Sequence, residues 1–254
     1  MAIGNAGVVT RLQTGAKSGL RTSRFKTWLG RYFYFCVALL MAGLSVWGFS
    51  DTVDVRLIHA QPPRPLLLWF HAAAFSAWIV LFIAQSALVR VRKVSVHRTL
   101  GWVGAALAAF MVVSGFIVSV VMLRLEMVLL HRKSVASFLS VLWGDMIIFG
   151  ACMALAIYFR KRPEYHRRLV FMASCQLMQA TFVRFHYIGR HDLFFPALDL
   201  LIVAGILRDS IVDRGVNKVY LYAFPAILFL QALATYLERA NPIWWQGITQ
   251  AILG

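Results

Sequence analysis

RKVSVHRTLGWVGAALAAFMVVSGFIVSVVML, Arg92–Leu123, is the stretch that decides the fold class. From Leu100 to Leu123 it holds no Asp, Glu, Lys or Arg, and its apolar residues are continuous rather than alternating. A helix needs roughly 20 predominantly apolar residues to cross a bilayer. In lipid, only helices and closed barrels satisfy every backbone group. A run without alternation is therefore read as a membrane-spanning helix, with His97, Arg98 and the basic pair Arg92-Lys93 at its watery end.

Six further runs qualify or nearly do: about 32–50, 66–89, 135–159, 169–187, 194–208 and 218–237, of which 194–208 is the shortest. Composition agrees. The chain is 60% hydrophobic and 14% charged, against roughly 45–50% and 25% in soluble domains. The expected fold class is all-α: a polytopic membrane protein, a bundle of seven transmembrane helices. Residues 1–30 read as a basic cytoplasmic tail, 31–238 as the transmembrane domain and 239–254 as an outer interfacial tail carrying Trp244 and Trp245. The core is expected from the helices of 66–187, arranged as two like-oriented hairpins.

The net charge of +16 would suggest nucleic acid in a soluble protein, but no nucleic-acid motif accompanies it. Between apolar runs, Lys and Arg act as topology signals and headgroup contacts. The N-terminal stretch and the second, fourth and sixth connections hold 18 of the 26 Lys and Arg. The positive-inside rule then predicts N-in and C-out. Cys36, Cys152 and Cys175 lie in apolar runs without metal spacing and read as packing residues.

The stretch RKVSVHRTL, Arg92–Leu100, returns as KRPEYHRRL, Lys161–Leu169. Both copies give two basic residues, three spacers and His-Arg-x-Leu, and both open an apolar run from the cytoplasmic side. VHRTLGWVGAALAAFMVVSG resembles the HRRLGW segment of the bacterial membrane-protein family known as domain of unknown function 2306. YHRRLVFMAS resembles that family's HKRLM segment. FHAAAFSAWIVLFIAQSALV, with His71, Trp78 and Gln85, is similar to its preceding helix, and LRDSIVDRG to its later cytoplasmic turn. Where the family often has His-Pro after that turn, this chain has Asn217-Lys218. The resemblance covers about 65–220 and implies a multi-spanning protein of the bacterial inner membrane, with no activity attached.

Ionisable residues within spans are costly and mark function by default. Asp145 falls near the middle of the fourth run, with Gln176 and Gln179 of the fifth as expected partners. Arg184 and Asp199 lie at matched depth on neighbouring runs, which predicts an ion pair. His97 and His166 share the cytoplasmic end, and His71 and His186 the outer half. Two histidines at matched depth on separate helices are what a bis-histidine b-type haem needs. This layout is similar to that of cytochrome b561. One haem is easier than two, because His166 and His186 point about 200° apart on a continuous helix. The ligands are then His71 with His186, or His97 with His166.

His59, His131 and His191 fall in outer connections, and no HExxH, Walker A, GxGxxG or GxSxG pattern appears. Three functions are expected from these residues. The first is a membrane redox or haem b protein. The second is a non-catalytic subunit or assembly factor of a larger membrane complex. The third is a small-solute or proton-coupled carrier using Asp145.

Overall fold

The computed structural model describes residues 5–129, 131 and 133–254. Every regular element among them is helical. α1 is Asn5–Val53, extended by a short π-turn at Asp54–Ile58. α2 (Leu66–Arg90) and α3 (Val94–Leu129) follow. A 3₁₀ turn, Lys133–Phe138, leads into α4 (Leu139–Tyr158). Then come α5 (Pro163–Gln176), α6 (Gln179–Phe182), α7 (His186–Arg190) and α8 (Phe194–Val212). α9 (Lys218–Ala240) and α10 (Ile243–Leu253) complete the chain.

Among the described residues five helices are long and apolar enough to cross a membrane: Arg24–Ile58, Leu66–Arg90, Val94–Leu129, Val135–Tyr158 and Lys218–Ala240. The fifth and sixth expected runs differ from these. The fifth is broken into α5, α6 and α7. The sixth, α8, is continuous but carries Asp199, Arg208 and Asp209. The helix of the N-terminal run reaches back through the basic stretch to Asn5, and the side chains before Arg24 lie outside those described.

Local signals set the helix ends. Pro163 opens α5, where a missing N–H costs nothing. Asn217 caps α9 by accepting from the Val219 amide at 3.0 Å. Asn241 closes it at φ 40°, a left-handed position that asparagine tolerates. The turn between α2 and α3 is only Val91–Lys93, with Arg92 at φ 59°. So short a link forces the two helices side by side.

The core is a square of four helices. α2 packs on α3, α3 on α4, and α4 on α5. The Trp78 indole N–H donates to Ser174 Oγ at 3.3 Å and ties α2 back to α5. Trp78 also meets Phe149 of α4 edge-on at 5.3 Å, which fills the middle of the square. α1 packs against α2 and α8, and α9 packs against α4. α10 turns back at the end of the bundle, where Trp245 is buried against the 3₁₀ turn.

At Gly205 the packing leaves no room for a side chain. A Cβ on Gly205 of α8 would stand 2.5 Å from both Phe171 Cε1 and Tyr220 Oη. Forced overpacking of a well-filled core costs about 1–3 kcal/mol. Gly205→Ala is expected to lower the unfolding midpoint in detergent, whereas Gly43→Ala, which meets nothing within 4 Å, should leave it unchanged.

Candidate functional site

The two HRxL elbows converge. His97 is in the first turn of α3 and His166 in the first turn of α5, helices that stand on one diagonal of the square. Their rings come together at the elbow end, with centroids 6.4 Å apart and planes nearly perpendicular at 83°. Both residues are half-buried. A metal–imidazole bond is about 2 Å long, so two rings ligating one ion from opposite sides hold their centroids about 6 Å apart. The observed spacing matches that arrangement.

Hydrogen bonds fix the tautomer of one ring. The Ala156 carbonyl can only accept, so His166 Nδ1 carries the proton that bonds it at 2.9 Å. His166 Nε2 therefore keeps its lone pair. A carbonyl on the far nitrogen is the usual support of a metal-binding histidine. His97 Nδ1 is buried with no partner, which leaves an imidazole nitrogen free for a ligand. Gln85 steadies this corner by donating to the His97 carbonyl at 3.3 Å.

The other expected pair is not brought together. His71, on α2, faces α3, with Nδ1 3.1 Å from Ser114 Oγ and its ring 4.4 Å from that of Phe75. His186 is exposed at the start of α7. The break in the fifth run is one reason. Face arithmetic over a continuous helix fails once Met178 bonds Cys175, and Thr181 bonds Met178, in the tighter i−3 pattern.

Asp145 is buried in α4, 5% exposed, and accepts from Gln176 Nε2 at 2.6 Å. Gln176 Oε1 in turn accepts from Gln231 of α9 at 3.3 Å, and the same Gln231 nitrogen donates to Asp199 of α8 at 3.3 Å. Four helices thus contribute one polar chain inside an apolar bundle. Gln179 does not join it: its Nε2 is buried without a partner.

The expected Arg184–Asp199 ion pair does not form. Arg184 donates Nε to Thr52 Oγ1 at 3.2 Å, donates Nη1 to the Ala180 carbonyl, and lies 3.8 Å over the Phe49 ring. Its partners are on α1 and in its own turn, while Asp199 faces α9. Matched depth gave the two residues the same height, but not the same side.

A second ionic cluster at the elbow end was missed by sequence reasoning. Arg168 of α5 donates Nε to Asp209 Oδ2 at 2.5 Å and Nη2 to Asp213 Oδ2 at 2.8 Å. Arg208 Nη1 bonds Asp209 Oδ1 at 3.0 Å and Asp213 Oδ2 at 2.7 Å, and Arg167 adds a contact to Asp213 at 3.4 Å. Arg168, Arg208 and Asp209 are buried. Arg208 Nη2 also reaches the Gly30 carbonyl at 3.4 Å, which clamps α1 to α5 and α8. The visible signal was the alternation of Arg and Asp in LRDSIVDRG, taken there only as a basic turn.

Among the described residues no group of three His, Cys, Asp or Glu could hold a metal ion. Any metal at His97 and His166 must bring its other ligands with it. Compared with known protein families, with curated proteins and with solved structures, the chain matches none.

Proposed function

We propose that this chain is an integral protein of the bacterial inner membrane that crosses it seven times, N-in and C-out, and holds one b-type haem between His97 and His166 as a membrane redox protein. The observation that carries this reading is the pair of imidazoles, one from α3 and one from α5, whose centroids lie 6.4 Å apart. Cofactors in helical bundles are held in this way, by side chains of facing helices. Two protein nitrogens suffice for haem, because the porphyrin supplies the remaining four ligands; they would not suffice for a bare zinc ion, which takes three or four protein ligands.

When bound, haem supplies one-electron chemistry. The chain's own residues do the rest. Ala156 holds His166 in the ligating tautomer. Gln85 steadies the turn that carries His97. Arg98, next to His97, offers positive charge at the membrane boundary, while Arg167 is engaged by Asp213.

The seven crossings rest on α8 and the broken α5–α7 segment spanning alongside the five apolar helices. Contacts at both ends support this. Arg168 meets Asp209 at the elbow end, and Asp192 meets Arg239 at the opposite end. The orientation rests on the excess of Lys and Arg at the elbows, and the bacterial inner membrane on the HRxL resemblance.

The test is a dithionite-reduced minus air-oxidised visible spectrum of the detergent-purified protein, expressed with haem supply. A sharp reduced α-band at about one haem per chain is expected. A flat spectrum from folded protein would sink the reading.

A further inference from the structure

We infer that Asp145 is a proton-binding site at the heart of the bundle, loaded from the face opposite the HRxL elbows through Gln231 and Gln176. This stands independently of the haem reading.

A carboxylate buried in hydrocarbon is costly unless it is amply hydrogen-bonded. Asp145 has one donor, the Gln176 amide at 2.6 Å. Protonation relieves that cost, so a route for the proton is needed. The polar chain supplies one, and its polarity is fixed. Before it is loaded, the Asp145 carboxylate can only accept, so Gln176 must present Nε2 to it. That leaves Gln176 Oε1 to accept from Gln231 Nε2 at 3.3 Å. Both donors therefore point towards Asp145, the sense needed for inward delivery.

The outer end of the chain is open. Gln231 is only 3% exposed, yet it lines a groove of about 550 Å³ between α8 and α9, together with Phe195, Leu228 and Thr235. Asp192 and Arg239, an exposed ion pair at 3.1 Å, flank its mouth. Asp199 is half-buried beside Gln231 and bonds it at 3.3 Å. The inner side is closed. Below Asp145, α4 continues with Ile148, Phe149, Cys152 and Ala156, all buried and apolar. Trp78 packs against Phe149 there. Exchange with the elbow face would have to cross this plug.

Each step conserves atoms and charge. Gln231 Oε1 takes a proton from hydronium at the groove, which leaves as water, and Gln231 Nε2 gives one to Gln176 Oε1. Gln176 Nε2 gives one to Asp145 Oδ1, which becomes the carboxylic acid. Both amides are left as imidic acids. A half-turn of each lets the next proton enter on nitrogen and leave from oxygen, which regenerates the amide.

The experiment is infrared spectroscopy of the full chain in lipid nanodiscs, reading the C=O stretch of protonated carboxyls after transfer to deuterated buffer. A carboxylic band that shifts on deuteration is expected in the native chain and absent in Asp145→Asn, which keeps the shape and the Gln176 contact. In Gln231→Leu the band should remain and its exchange slow by about tenfold or more, the effect of about 1.4 kcal/mol on the barrier. Gln231→Met serves the same purpose if the leucine variant does not fold. An Asp145→Asn spectrum identical to the native one would overturn the proton site. Exchange at the native rate in the folded Gln231 variant would overturn the route.

Discussion

His166→Ala and His97→Ala each abolish the reduced α-band, while His71→Ala and His186→Ala keep it at full haem content. The partition follows from the geometry. His97 and His166 are the two rings that share a centre, 6.4 Å apart on diagonal helices. His71 is committed to Ser114, and His186 is exposed on α7. Without one of the two rings this chain would hold a haem by a single histidine at the half-buried elbow end, and retention of haem through purification should fail. A merely structural role for His166 would also lower haem content, so the test needs a readout that packing cannot move. Alanine in place of either ring leaves a hole of imidazole size. Added imidazole should restore the band in His166→Ala and in His97→Ala, and should do nothing for a misfolded chain. Loss of the band in His71→Ala, with His166→Ala unaffected, would move the site to the other half of the bundle.

How this pair was and was not legible says what kind of information a sequence carries. The HRxL repeat placed both histidines at one end, because depth follows from distance along an apolar run. Choosing between the inner and outer pairs needed to know which helices stand on a diagonal, and periodicity says nothing about that. Asp145 and Gln176 were paired correctly for the same reason of depth: their runs are joined by the short link Phe159–Arg162 and must lie side by side. Arg184 and Asp199 failed because their heights agree but their faces do not. The break at Leu177–Met178 rotates everything beyond it, and with no Pro or Gly there it leaves no mark in the residues. Gln231 was passed over because one amide in an apolar run carries no charge to draw the eye. Arg208 and Asp209 fall where LRDSIVDRG is expected to form a cytoplasmic turn, and nothing local shows that Arg168 comes to cover them.

That cluster carries the largest expected loss of stability. Asp209 is fully buried, and its two oxygens are held by Arg168 at 2.5 Å and Arg208 at 3.0 Å. Breaking a buried ion pair from one side costs about 3–5 kcal/mol, because the remaining charge is left without compensation. Arg168→Met should fall in that range, since it strips Asp209 of its shortest contact and also removes one of the three arginines on Asp213. Replacing charge and partner together is another matter. Apolar residues of similar volume often substitute for a buried pair at little cost, so Arg168→Met with Asp209→Leu should be less damaging than Arg168→Met alone. Unfolding midpoints in a denaturant series, read as a double-mutant cycle, give the coupling directly. The exposed pair Asp192–Arg239 supplies the contrast, with side chains 46% and 59% exposed. Arg239→Ala should cost no more than about 1 kcal/mol. If Arg168→Met proved as mild as Arg239→Ala, the clamp between α1, α5 and α8 would be ornamental, and the charges of LRDSIVDRG would be topology signals alone.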